Sequence, residues 1–324
     1  TVSHVLNKTR PVSEQVRLKV EAAIIELDYV PSAVARSLKA RSTATIGLLV
    51  PNSVNPYFAE LARGIEDACE RNGYCVILCN SDDNPQKQRS YLRVLLEKRI
   101  DGLVVASVGQ DDDLLQSLAG VRTPMVIVDR ELEGVDADLV RIDHEQGAYL
   151  ATQHLLELGH RDVAYIGGPA ETGVTQLRLS GFRRAMAEAG APVLGSRVLH
   201  CDFTSPGGHA AAAQVLEGKR PSAIFAGNDM IGFGVLRAAA ERNISVPGEL
   251  SVIGFDDIEL SRYVYPPLTT VGQSIRELGE SAASLLLTRI ATPRQGAAEQ
   301  RIVAPRIVLR ESTGPRPDLF NEYR

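Results

Sequence analysis

From Ile46 to about Leu309 the chain alternates short aliphatic, β-branched runs with longer runs whose apolar residues recur at helical spacing. TIGLLV, YCVILCN, GLVVAS and PMVIVD read as strands, as do VAYIGG, SAIFAGND and LSVIGFD. Between them, YFAELARGIEDACERNG puts Phe58, Leu61, Ile65 and Ala68 on one helical face, with Gly73 as the stop. LATQHLLELG and RLSGFRRAMAEAG follow the same rule and stop at Gly159 and Gly190. Strands apolar throughout, separated by helices, find burial in parallel sheets covered on both faces. The expected fold class is therefore α/β.

Two such sheets are expected, because the strand–helix pattern restarts after Ile142-Asp143 and runs to about Thr270. A helix, IRELGESAASLLLTRI, and a last strand, RIVAPRIVLRE, follow. The expected division gives one lobe residues 45–143 and 274–303 and the other residues 144–273 and 304–314. Residues 1–30 form a helical head, 31–44 a hinge helix and linker, and 315–324 a tail. Several crossings between two lobes leave a cleft at the hinge, and open parallel sheets bind ligands beyond the carboxyl ends of their strands.

Ten residues fit such a cleft. Asn55, Tyr57 and Phe58 lie in NPYF, Asp129 and Arg130 in VDR, and Arg178 in RLSGF. Phe203 lies in CDF, Asn228 in AGND, Asp256 in GFDD and Gln273 in TVGQ. Eight of them fall just past strand ends, whereas Arg178 opens a helix and Gln273 lies on a crossover. Three aromatics offer apolar faces, and two carboxylates, two guanidiniums and three carboxamides offer hydrogen bonds of both polarities. Their charges cancel, so a neutral ring bearing many hydroxyls suits them better than an ion, and unpaired buried polar groups are costly.

The net charge of −5 hides an asymmetry, since residues 1–44 carry seven Lys/Arg against four Asp/Glu and the remainder carries −8. A basic head on an acidic body suits a nucleic-acid partner for the head alone, though a solvated face explains such a balance as well. TVSHVLN places Val2, Val5 and Leu6 on one helical face. The turn KTRP and a second helix follow, capped by Ser13, with Val16, Val20, Ile24 and Leu27 as its buried stripe. PSAVARSLKARS is a marginal helix with Val34 and Leu38 at helical spacing among Arg36, Lys39 and Arg41. It reads either as a plain linker or as a segment that orders on DNA, where a leucine wedges between minor-groove base steps.

Other chemistry finds little support. Cys69, Cys75, Cys79 and Cys201 lack metal spacing and read as small buried thiols in a reducing cytoplasm. GGPAETG lacks the Lys-Ser/Thr of a phosphate loop, Asp82-Asp83 and Asp111 to Asp113 read as turn residues, and the six His form no metal pattern. His160 in GHRD reads as packing at a helix end. No serine stands in a nucleophile elbow. An enzyme, a cofactor and a metal are not expected. No apolar stretch is long enough for a bilayer and no export signal opens the chain, so a cytoplasmic location without a membrane partner is expected, although the chain does not begin with Met.

TVSHVLNKTRPVS, VEAAIIELDYVPSAVARSLKARSTATIGLLVPNSVNPYFAEL, RIDGLVV, HLLELGHRDVAYIGG, RLSGF, AIFAGND, VPGELSVIGFDD and PPLTTV together resemble the lactose-repressor family of bacterial transcription regulators, near its ribose and purine repressor branch. The similarity runs over essentially the whole chain. It implies a truncated helix-turn-helix head on a two-lobed sensor like the periplasmic binding proteins. Thr1 to Asn7 would be the recognition helix, with Thr1, Ser3, His4, Asn7 and Arg10 at the DNA. Ser32 to Lys39 would be the hinge helix, with Leu38 as wedge beside Ala35 and Lys39. The family's first helix is absent from the sequence, so the chain as it stands is expected to bind DNA poorly. The full-length protein is expected to bind a pseudo-palindromic operator as a homodimer.

The same resemblance extends the ten cleft residues to the ribose-contacting pattern of periplasmic ribose-binding proteins. It implies a repressor whose effector is D-ribose, acting as inducer. Purine-sensing relatives carry an arginine and a threonine where this chain has Thr172 and Val174, which argues against a purine. A purine- or hexose-responsive repressor, and outside regulation a periplasmic-type sugar-binding protein, remain the alternatives.

Overall fold

Apolar strands need cover on both faces, and the computed structural model shows how this chain supplies it. The described residues are 2–6, 10–29, 42–82, 84–106, 116–118, 120–129, 134–272, 274–292 and 298–317. They divide into two compact units, residues 1–44 and residues 45–324.

The smaller unit holds α1 (Val2–Leu6) and α2 (Glu14–Glu26). Ser13 occupies the N-cap position of α2, where its carbonyl, not its hydroxyl, takes the first helical bonds from the Val16 and Arg17 amides. The expected buried stripe is only partly present. Val16, Val20 and Ile24 are half-buried, but Leu27 is 74% exposed, and no α2 side chain is buried. A five-residue α1 is the described helix packed on that face, too short to cover the stripe. Residues 30–41, which include the expected hinge helix with Ala35, Leu38 and Lys39, lie outside the described residues, as do Thr1 and Asn7.

In the larger unit the first lobe contains β1 (Thr45–Val50), β2 (Cys75–Asn80), β3 (Gly102–Ala106), β4 (Met125–Val128) and β5 (Asp138–Ile142). Its helices are α3 (Pro56–Arg71) and α4 (Pro85–Glu97). The second lobe contains β6 (Val163–Gly167), β7 (Val198–His200), β8 (Ala223–Ala226), β9 (Ser251–Asp256) and β10 (Thr269–Gly272). With them go α5 (His144–Glu157), α6 (Gly173–Glu188), α7 (Ser205–Val215) and α8 (Asp229–Glu241). The chain then returns to the first lobe as α9 (Ile275–Ala291) and β11 (Gln300–Val303), and crosses back as β12 (Arg306–Val308). The sheet orders are β11-β5-β4-β3-β1-β2 and β12-β10-β9-β8-β6-β7. Each changes direction beside its first strand, which opens a crevice at the strand carboxyl ends.

Three details differ from the sequence reading. RIVAPRIVLRE is two strands in two sheets, because Pro305 lacks the amide hydrogen that would continue a ladder. The second piece pairs antiparallel with β10, the exception among otherwise parallel described pairings. β2 is an edge strand, so Cys75 is exposed; Cys201, just past β7 in the other lobe, is half-buried, while Cys69 and Cys79 are buried as expected.

Alternation within strands builds a core on each face. Leu48, Val104 and Val126 meet Leu61 of α3 and Leu278 of α9, while Leu49, Leu103 and Val105 turn to Leu92 and Leu95 of α4. Each fully buried aliphatic side chain contributes roughly 1.5–3 kcal/mol relative to exposure. Gly73 ends α3 at φ 78°, a left-handed conformation that a β-carbon disfavours, as expected from its sequence position. Close packing of α3 on α9 depends on two glycines. A β-carbon on Gly64 would stand 2.3 Å from the Arg276 carbonyl oxygen, and one on Gly279 would stand 2.4 Å from that of Leu61. His160, fully buried just past α5, lies within hydrogen-bond distance of Ser222 Oγ, Ser251 Oγ and the Gly314 carbonyl, tying the C-terminal strap to the second sheet. Among the described residues no helix is long and apolar enough to cross a membrane.

Candidate functional site

A cavity of about 390 Å³ lies between the lobes at the carboxyl ends of both sheets. Eight of the ten residues singled out in the sequence line it. Asn55, Tyr57 and Phe58 come from the start of α3, Asp129 follows β4, and Phe203 follows β7. Asn228 stands before α8, Asp256 ends β9, and Arg178 reaches in from α6. Arg178 does not open its helix, since α6 begins at Gly173 and the arginine sits in the second turn. Arg130 and Gln273 lie outside the described residues.

Local structure fixes several of these groups before any ligand is considered. Asn55 caps α3 by accepting from the Tyr57 amide at 3.0 Å, and Asn228 caps α8 by accepting from the Ile231 amide at 2.9 Å. Their carboxamide oxygens are therefore occupied, and the NH₂ groups remain as donors. Asp129 and Asp256 stand on left-handed backbone, at φ 70° and φ 111°. Non-glycine residues adopt such conformations at a cost, and here both place a carboxyl at a strand end facing the crevice.

The polar groups form one connected chain. Tyr57 Oη donates to Asp129 Oδ2 at 2.5 Å, and His144 Nε2 lies 3.0 Å from Asp129 Oδ1. Arg178 Nη2 is 3.4 Å from His144 Nδ1 and donates to Asp256 Oδ1 at 3.2 Å. Its Nη1 donates to the Gly227 carbonyl at 2.5 Å, and its Cζ lies 3.8 Å from the centroid of the Phe255 ring. Arg178 is buried, and its Nε has no hydrogen-bond partner.

These contacts divide the two carboxyl groups electrostatically. Burial pushes Asp256 up to about 8, although the Arg178 guanidinium pulls the other way and Asp229 and Asp129 add to the rise. Burial would also raise Asp129, but His144, the Tyr57 hydroxyl and Arg178 outweigh it and hold the carboxylate below its ordinary range. Tyr57 is raised by burial and by Asp129. His144 is lowered by burial, with Arg178 and Arg141 opposing a second proton that Asp129 would favour.

Sequence reasoning missed His144, which is fully buried behind the lining. It carries no spacing signal, being a lone histidine at the first position of α5; its meaning comes from contacts with residues 15 and 34 positions away. Glu171 and Asp202, both exposed, also line the cavity and were not anticipated. Thr172 and Val174, noted in the sequence, line it as well; the Thr172 hydroxyl is engaged with Pro169 and Thr175. Among the described residues no group of three or more His, Cys, Asp or Glu could hold a metal ion. In the head, His4 is half-buried on α1 and Arg10 is exposed in a bend; the Ser3 side chain lies outside what is described.

Residues 43–311 match the family model for periplasmic binding proteins and the sugar-binding domain of the LacI family, and residues 1–32 match that for bacterial regulatory proteins of the lacI family. The HTH-type transcriptional repressor PurR of Photobacterium profundum is 44% identical over 316 residues, covering 96% of this chain and 94% of the relative. A LacI family transcriptional regulator from Enterococcus faecium, solved with bound ribose, superposes with a TM-score of 0.75 at 35% identity, covering 84% of this chain and 99% of the other. The lac repressor dimer bound to operator and the anti-inducer ONPF gives a TM-score of 0.86 at 27% identity, covering 97% and 94%.

Proposed function

This chain belongs to the LacI family of bacterial regulatory proteins, and we propose that it is a sugar-responsive transcriptional repressor whose inducer is free D-ribose. The carrying observation is the polar chain from Tyr57 through Asp129 and Arg178 to Asp256, set among aromatic faces in one interlobe cavity. Asp129 and Asp256 accept from sugar hydroxyls. The Asn55 and Asn228 amides and the Arg178 guanidinium donate to sugar oxygens. Tyr57, Phe58 and Phe203 cover the ring. Arg130 and Gln273 complete the set. A ribose-bound relative of similar fold supports the sugar class.

In this reading operator DNA is met by a homodimer, through Thr1, Ser3, His4, Asn7 and Arg10 of the head and Ala35, Leu38 and Lys39 of the hinge. The protein works in the cytoplasm. A purine-responsive repressor is the second reading, favoured by the PurR names of relatives at 42–44% identity. Against it, Val174 offers no hydrogen bond and the Thr172 hydroxyl is already committed, so that wall has little with which to read a heterocycle.

Calorimetry with D-ribose, hypoxanthine, guanine and several hexoses separates these readings, with ribose expected to bind tightest. Hypoxanthine binding with no ribose heat overturns the assignment. On a full-length protein, operator affinity measured by anisotropy is expected to fall when ribose is added, because an inducer binds best the lobe arrangement that releases DNA. A rise would make the effector a corepressor.

A further inference from the structure

We propose that His144 is a positioning residue that ties the two lobes together behind the cavity, holding the Asp129 carboxylate from one lobe and the Arg178 guanidinium from the other in the orientations a ligand meets. This rests on the reading of the cavity as an effector site. His144 is not among the residues lining the cavity, so its effect passes through the two that are.

The two contacts fit one protonation state. A guanidinium nitrogen only donates, so Nδ1, 3.4 Å from Arg178 Nη2, must be the acceptor. The ring proton then sits on Nε2 and is donated to Asp129 Oδ1 at 3.0 Å. Tyr57 donates to the other oxygen of the same carboxylate, which is thereby fixed at both ends. The ring is fully buried and packs 5.9 Å from Phe255, the same aromatic over which Arg178 lies.

Position in the chain makes the contact consequential. β5 ends at Ile142 in the first lobe and α5 begins at His144 in the second, so the residue stands at a crossover. Asp129 belongs to the first lobe, Arg178 to the second, and relative motion of the lobes must move one against the other. A neutral Nε2–H imidazole satisfies both. A second proton would set an Nδ1–H against an Arg178 N–H and turn an attraction into a repulsion. The charged groups facing the ring are Asp129, Arg178 and Arg141, and with burial they leave it unprotonated near neutrality.

Long-range ¹⁵N–¹H spectra of the ligand-free protein test the assignment without a ligand, and are expected to show His144 as the Nε2–H tautomer at pH 7. An Nδ1–H tautomer, or an imidazolium at pH 7, overturns it. The second arm measures D-ribose affinity at pH 7 for wild type, His144→Phe, His144→Gln and His144→Asn, with folding checked by circular dichroism. His144→Phe is expected to bind at least tenfold more weakly at pH 7. Glutamine restores the donor to Asp129 and asparagine the acceptor for Arg178, so each is expected to recover part of the loss. Ribose affinity in folded His144→Phe equal to wild type, or a loss that neither amide relieves, overturns the proposal. If wild type gives no heat with ribose the effector reading fails, and the tautomer still decides the role of His144. If His144→Phe does not fold, the amide variants and the spectra decide it.

Discussion

Arg178 Nη2 lies 3.2 Å from Asp256 Oδ1, joining residues 78 positions apart, with both side chains buried. The same guanidinium donates to Gly227 and covers Phe255, so one side chain organises three segments of the second lobe. Removing one partner leaves the other's buried polar atoms without their hydrogen bond. Arg178→Ala is therefore expected to weaken D-ribose binding by about 2 kcal/mol or more, roughly thirtyfold, measured by calorimetry. An affinity within a factor of three of wild type contradicts this role.

Asp229 predicts a pH dependence of stability outside the ligand contacts. It is buried, accepts from the Ile258 amide and the Ser261 and Thr270 hydroxyls, and is pushed up to about 7, chiefly by burial against those three bonds. A folded-state value above the unfolded value of about 3.9 means that the folded state binds more protons between the two. The resulting stability is complete below about pH 4, declines as pH rises through about 7, and is constant above. Urea unfolding from pH 4.5 to 8.5 is expected to show this decline in wild type relative to Asp229→Asn, with an upper limit of about 4 kcal/mol. Parallel curves for the two proteins refute it.

The described cavity residues bring four carboxyl groups, on Asp129, Glu171, Asp202 and Asp256, against the single guanidinium of Arg178. Such a lining repels an anion and tolerates a neutral sugar. Ribose 5-phosphate is expected to bind at least tenfold more weakly than ribose at low salt. The gap should narrow in Glu171→Gln/Asp202→Asn and at higher ionic strength, where exposed charges are screened. Equal affinities for the two ligands would exclude this selection.

The α3–α9 contact allows no side chain at its closest point. Gly279→Ala would put a β-carbon 2.4 Å from the Leu61 carbonyl oxygen, against backbone that cannot give way as a side chain can. A loss of about 1–3 kcal/mol is expected, read as a lowered Tm. An unchanged Tm would mean that the helices separate freely.

Much of the architecture was legible in the strand–helix alternation, because burial on both faces writes a continuous apolar run into the sequence. TIGLLV and VAYIGG were plain for that reason, while Asp138–Ile142, which mixes charged and apolar residues, and the three-residue Val198–His200 were not read as strands. Cys75 was misplaced because an apolar run does not say whether its strand is central or at an edge. Pairing decides that, and β2 has a neighbour on one side only. The described cleft residues were legible because each stands at or near the end of an apolar run or in the first turns of a helix, where a parallel sheet gathers its polar groups.

By itself the sequence determined the element types, the two-sheet division and the kinds of polar group at the strand ends, since periodicity and turn chemistry are local properties. Only the tertiary structure decided which groups meet. Asp129 and Asp256 are the same residue type on similar left-handed backbone. One is held below its ordinary range and the other is pushed up to about 8. Burial raises both, but at Asp129 the neighbouring His144, Tyr57 and Arg178 outweigh it, whereas at Asp256 Arg178 does not and Asp229 and Asp129 add to the rise. Those partners come from distant parts of the chain, and electrostatic energy depends on distance in space and on burial, neither of which is written in residue order.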